Sequence, residues 1–221
     1  LSRAKSPAAA FVNIKYTQYM KYGAIVLAAG FSTRYGGQKK QDLEFQGKQI
    51  WQHSYDTAMS VVGEGNIVAV GKDMPGGETR TKSVIIGLKA LPSDTDRVVI
   101  LDAARPLVTA KQIKGLLENP NPSCSLVRPL VNTPIFRDGT YVNRSEMYDL
   151  LVPQAFDYKL LLEAYESGRF EDMTDETRVM FEYHGIKPTL IETENNLYKV
   201  TYPGDLMIIE SIYQRMLEEE K

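Results

Sequence analysis

A chain of 221 residues with 43% hydrophobic and 24% charged residues suits one folded α/β domain with an excursion, which excludes a disordered or fibrous protein. Lys and Arg number 26 against 28 Asp and Glu, a net charge of −2 that offers no basic footprint for nucleic acid. A single cysteine (Cys124), two histidines (His53 and His184) and no apolar run near ~18 residues exclude a disulfide, a histidine-rich metal centre and a membrane helix, so no membrane partner and a cytoplasmic location are expected.

Residues 1–19 have no clear period and are too weakly flanked for a secretory signal, so they read as an N-terminal extension before a domain at 20–221. Residues 22–28 form a continuous apolar run ending in small residues, the mark of a buried parallel strand. A helix over 48–62, a strand over 66–70, a helix over 81–91, a strand over 97–101, a helix over 110–117 and a strand from 125 follow. This alternation predicts a three-layer α/β fold with right-handed crossovers. Residues 131–152 break it: two short extended runs flank Arg137-Asp138-Gly139, a β-hairpin signal, and read as an arm leaving the sheet. Helices over 158–167 and 175–183 (with Thr174 as N-cap), a strand over 188–192 and a helix over 204–219 complete the chain.

In a parallel sheet, ligands sit beyond the carboxyl ends of the strands. The first such end, residues 28–37, reads Ala-Ala-Gly-Phe-Ser-Thr-Arg-Tyr-Gly-Gly, small enough for a ligand to approach backbone amides. Ser32 breaks the dinucleotide fingerprint, and Tyr35 with no following Lys-Ser or Lys-Thr breaks the Walker loop. Arg34 and the Lys39-Lys40 pair place cations beside this nest, which suits a polyphosphate.

The run LAAGFSTRYGG followed by lysine resembles the opening of nucleotidyltransferases that move NMP from an NTP onto a phosphate. Leu101-Asp102-Ala103-Ala104-Arg105-Pro106 is similar to the HDAARP element of the 2-C-methyl-D-erythritol 4-phosphate cytidylyltransferases, with Leu for His. Pro153-Gln154-Ala155-Phe156, Thr174-Asp175-Glu176 and Lys199-Val200-Thr201 follow in that family's order, so the resemblance runs from about 22 to 212. The same signatures serve ribitol 5-phosphate cytidylyltransferases.

The resemblance implies a Rossmann-like nucleotidyltransferase fold with a mostly parallel sheet and a protruding hairpin arm, a homodimer through that arm, Mg²⁺, and CTP and a polyol phosphate as substrates. Methylerythritol 4-phosphate is the first reading and ribitol 5-phosphate the second; a lapsed nucleotide-binding homologue is the reading from another class. By the same resemblance Arg34, Lys40, Asp102 and Lys199 are catalytic, with Asp102 near the metal and Lys39 the rival of Lys40. CTP would lie against Ala28, Ala29, Gly30, Gly77, Ser83 and Ala103, and the polyol phosphate against Thr133, Arg144, Thr174 and Lys199. Arg105 reads as a scaffold residue holding its loop, and both histidines as structural. Val152 replaces the family's threonine, and Asn196-Leu197-Tyr198 replaces Asp-Asn-Ile, which removes a carboxylate expected near the metal.

Overall fold

A computed structural model describes residues 20–32, 35, 36, 39–194 and 196–219. Strand β1 (Tyr22–Leu27) leads through a small ribbon, β2 (Glu44–Phe45) and β3 (Lys48–Gln49), into helix α1 (Ile50–Val62). Next come β4 (Ile67–Val70), α2 (Arg80–Ala90), β5 (Arg97–Asp102), α3 (Ala110–Leu117) and β6 (Ser123–Pro129). Then follow β7 (Tyr148–Asp157), α4 (Tyr158–Glu166), α5 (Glu176–His184), β8 (Thr189–Glu192) and α6 (Asp205–Glu219). Six strands form one sheet in the order β4-β1-β5-β7-β6-β8. β7 alone runs against its neighbours; the other pairings are parallel.

The unbroken apolar runs of β1 and β5 arise because helices cover both faces of the sheet. Ala24, Val26, Val99 and Leu101 face α1 and α3, packing with Ala58, Ile113 and Leu116. Ile25, Val98 and Ile100 face the other way, onto Val84 and Leu88 of α2, Leu161 of α4 and Met180 of α5. Gly87 lets α2 sit close on β1, since a Cβ there would come within 2.6 Å of Ile25 Cγ2. A third cluster, including Phe45, Ile50, Ala104, Val200 and Ile209, seats α6 on the ribbon and on the loop after β5.

Several sequence expectations are corrected. The sheet contains a ten-residue strand, β7, where the arm and the Pro-Gln-Ala-Phe element were expected. Pro153 argues against a central strand because it lacks an N–H. It is accommodated where the register shifts: Ser125 pairs with Gln154, but Val127 pairs with Leu150. Ser125 Oγ donates to the Leu151 carbonyl at 2.9 Å and satisfies the irregular stretch. Residues 148–152 therefore belong to the sheet, and the excursion shrinks to 130–147. Its hairpin is a single bridge, Ile135 with Tyr141, closed through Gly139 at φ +89°. Helix α5 is capped by Asp175, whose carboxylate accepts from the Arg178 amide, and not by Thr174. Residues 196–201, including Lys199, lie in irregular structure between β8 and α6.

Gly71 adopts φ +100° directly after β4, and a Cβ there would stand 2.6 Å from Ala28 C and Ala29 N. Both contacts are backbone of the segment after β1, so neither can swing aside. Gly71→Ala should cost about 3 kcal/mol and lower Tm by about 6–12 °C, read by thermal denaturation. An unchanged Tm would show that the two segments are not held this tightly.

Candidate active site

Parallel register brings three strand ends to one edge. Leu27 aligns with Val70 on one side and with Asp102 on the other. The Ala28 amide continues the ladder to the Val70 carbonyl at 2.8 Å, and the Ala103 amide bonds the Leu27 carbonyl at 3.1 Å. Beyond that edge opens a cleft of about 230 Å³. Ala28, Ala29, Gly30, Lys40, Gly77, Ser83, Asp102, Ala103 and Lys199, predicted from four separate stretches of sequence, all line it.

Asp102 is the electrostatic centre of the cleft. Lys199 Nζ lies 2.6 Å from Asp102 Oδ2, and Arg105 Nε lies 3.5 Å from the same oxygen. Burial opposes ionisation of this carboxyl, yet Lys199, Arg105 and Arg80 outweigh it and hold the group well below the usual carboxylate range. Lys199 is placed by its neighbours: the Val200 amide bonds the Ala104 carbonyl at 2.9 Å, and Asp205 accepts from the Thr201 amide at 2.7 Å. Arg105 reaches on to the Leu197 carbonyl.

Arg80, from α2, forms a bidentate pair with the fully buried Glu176 of α5, Nη2 to Oε2 at 2.8 Å. Tyr165 OH donates to the same carboxylate at 3.1 Å. Burial works against the charge on Arg80, but Glu176 more than restores it and raises its pKa, so the guanidinium stays protonated. Burial and then Glu176 raise the Tyr165 phenol, which stays neutral.

The loop after β1 is fixed by side chains as well as by its small residues. Ser32 has φ +54°, and its hydroxyl accepts from the Lys40 amide at 3.1 Å. Gly76 leaves room for Ala29, since a Cβ there would stand 2.2 Å from Ala29 Cβ. Ser83 Oγ accepts from the Gly77 amide and donates to the Thr79 carbonyl, each at 3.1 Å. The Ser83 hydroxyl thus pins the Gly77 turn, with its hydrogen committed to the Thr79 carbonyl.

Other predicted residues fall elsewhere. Arg34 and the extension 1–19 lie outside the described residues. Thr133, Arg144 and Thr174 are exposed and do not line the cleft; Arg144 Nη1 donates to the Val131 carbonyl at 2.6 Å. Asn196 is buried and spends its amide on the Leu107 carbonyl at 2.7 Å and on Gln112, fastening the N-terminus of α3. An ionised aspartate at 196 could not donate to Leu107. Sequence reasoning missed Phe31, Gln41 and Glu78, which also line the cleft, and the Glu176 that holds Arg80. The Thr174-Asp175-Glu176 motif flagged the last of these positions without revealing what its side chain bonds.

Because the Asp102 carboxyl is depressed in the fold, its contribution to stability is complete above the unfolded value near ~4 and is lost as pH falls from there towards the lower folded value. The advantage of the wild type over Asp102→Asn in urea midpoint should be largest near pH 7 and shrink below about pH 4. A difference constant from pH 7 to 3 would show that the charge on Asp102 is not what ties the segments together.

Residues 23–215 match the family described as IspD, 2-C-methyl-D-erythritol 4-phosphate cytidylyltransferase. A protein of that name from Desulforamulus reducens is 30% identical, covering 87% of this chain and 95% of its own length. One from Halalkalibacterium halodurans is 31% identical over 87% and 97%. Among solved structures, 4-diphosphocytidyl-2C-methyl-D-erythritol synthase from Anaerococcus prevotii superposes with TM-score 0.73 at 24% identity, over 88% of this chain and 99% of its own. The bifunctional IspDF from Campylobacter jejuni gives TM-score 0.73 at 26% identity, over 85% of this chain and 53% of that one. Fold, cleft and sequence converge: the chain belongs to the 2-C-methyl-D-erythritol 4-phosphate cytidylyltransferase family.

Proposed function

We propose that this protein transfers CMP from CTP to 2-C-methyl-D-erythritol 4-phosphate with release of pyrophosphate. The observation that carries the reading is the gathering of the β1 loop, Lys40, Gly77, Ser83, Asp102 and Lys199 around one cleft in a chain of this family. A phosphate oxygen of the polyol phosphate attacks the α-phosphorus of CTP. The bond between the α-phosphorus and the bridging oxygen breaks, and pyrophosphate leaves with that electron pair. A phosphate monoester is largely dianionic at neutral pH, its second pKa being near ~6, so no general base is needed. Both histidines are engaged elsewhere: His53 Nε2 lies 2.8 Å from the Phe45 carbonyl and His184 Nε2 2.9 Å from the Leu160 carbonyl.

The chemical task is to bring two anions together, and cations perform it. Lys40 stands beside the loop that takes the triphosphate, and Arg34 is assigned the same role by its place in the loop motif. Lys199 is held at the cleft by Asp102 and can turn from that carboxylate to an incoming phosphate. Among the described residues no three His, Cys, Asp or Glu side chains are grouped to hold a metal. The ionised Asp102 is the carboxylate of the cleft that would hold a Mg²⁺ arriving with CTP, exchanging its contact with Lys199 for the ion. When bound, the ion neutralises phosphate charge. Ala28, Ala29, Gly30 and Ala103 are assigned to the wall that meets the base and sugar.

The same reading makes the enzyme a cytoplasmic homodimer. No helix among the described residues is long and apolar enough to cross a membrane. Val131, Phe136 and Tyr141 of the excursion are 80%, 59% and 76% exposed, a poor arrangement for a segment left in water. A second copy across a two-fold axis would cover them and carry Thr133 and Arg144 to the other chain's cleft. Thr174 is assigned to the polyol phosphate on its motif.

Pyrophosphate release should be fastest with CTP and methylerythritol 4-phosphate. Faster release with ribitol 5-phosphate would reassign the acceptor, and comparable kcat/KM with ATP would overturn the cytidylyl reading. Lys40→Ala should lower kcat by about 10²–10³-fold in a folded protein. Mixing Lys40→Ala with Arg144→Ala chains should restore activity, because about half of freely exchanged dimers then carry one complete site. No recovery despite proven exchange would refute the shared site.

A further inference from the structure

Gln41 is a polar side chain only 4% exposed, in the short turn Lys40–Asp42. Its amide nitrogen donates to the carbonyls of Ala28, at 2.9 Å, and Gly30, at 3.2 Å. Its amide oxygen accepts from Ser32 Oγ at 3.2 Å, and that same hydroxyl accepts from the Lys40 amide. One side chain therefore gathers three points of the loop after β1 and, through Ser32, the residue next to itself. The next residue of the turn is held independently, because Asp42 pairs with Lys72, whose ammonium lies 5.4 Å from the centre of the Trp51 ring.

The physical effect has two parts. Carbonyl dipoles in a loop that receives a polyanion are repulsive, and a bonded N–H partner offsets them. Ser32 also occupies a left-handed conformation that a residue with a Cβ adopts only under constraint, and its two hydrogen bonds supply that constraint. Loosening Gln41 would release the carbonyls, the Ser32 conformation and the backbone of Lys40 together.

We propose that Gln41 is a positioning residue, clamping the nucleotide loop to the turn that carries Lys40 and so setting where the ammonium stands relative to the triphosphate. This rests on the reading of Lys40 as a triphosphate contact. It predicts a loss that travels through Lys40, which a general weakening of the fold would not.

The test measures pyrophosphate release from CTP and methylerythritol 4-phosphate for Gln41→Ala and Gln41→Met, each with and without Lys40→Ala. Met fills the buried space without hydrogen bonds, which keeps the test meaningful should Gln41→Ala fold poorly. Gln41→Met should lose about 10²-fold in kcat, with KM for the polyol phosphate within about twofold of wild type. In the Lys40→Ala background the same change should cost less than about threefold. Near wild-type kcat in Gln41→Met, or a full additive loss on Lys40→Ala, overturns the proposal. Hydrogen exchange supplies a readout without substrate: the Lys40 amide should exchange at least about tenfold faster in Gln41→Met, with the β1 and β5 amides unchanged. Unchanged exchange refutes the clamp. A wild type inactive with every polyol phosphate would count against the proposed function, and exchange at Lys40 would still decide the clamp.

Discussion

The cleft depends on one buried carboxylate. Asp102 ends β5, and three cations converge on it from separate stretches of chain: Arg80 at the start of α2, Arg105 in the loop after β5, and Lys199 in the irregular segment before α6. A carboxylate taken out of water is costly alone and acceptable when surrounded in this way. Asp102 thus gathers the walls of the site around the end of β5. It also leaves a local excess of positive charge, with Lys40 lining the same cleft, which suits a polyanionic guest.

A second layer of buried polar groups stands behind this one. Arg80 is braced by Glu176 and Tyr165, which joins α2 to α5 and α4 across the helical layer. Gln154 of β7 donates to Asp175 at 2.6 Å, fixing the start of α5 from the sheet side. The cap of α5 and the brace on Arg80 are therefore adjacent residues. A disturbance of this helix start reaches the cleft wall through Arg80, although no residue of α5 lines the cleft.

Much of this was legible in the sequence because burial on both faces leaves an unmistakable mark. β1 and β5 read as strands from their apolar runs, and the small residues after Leu27 mark the ligand edge. β7 escaped because Pro153 and the polar Asp149 and Gln154 interrupt its pattern, and because an irregular register absorbs the proline. Gln41 and Glu176 escaped for another reason. Sequence shows that a polar residue is present but not that it lies under a loop with every bond committed. Thr133 and Arg144 are legible only through family resemblance, since one chain gives them no contact with the cleft. Asn196, which stands where the family's aspartate is expected near the metal, donates a hydrogen bond to the Leu107 carbonyl, a contact that sequence alone does not show.

β7 connects two environments. Residues Gln154–Phe156 are sandwiched between β5 and β6, whereas Tyr148–Leu150 pair only with β6. That outer stretch is a sheet edge, and its exposed Tyr148 and Leu150 make it a sticky one. It runs without interruption into the middle of the sheet. A chain kept from its proper contacts would thus present an open template for strand addition, continuous with its own core. Aggregation in this protein should therefore start at the outer half of β7 and spread inward along a strand already in place.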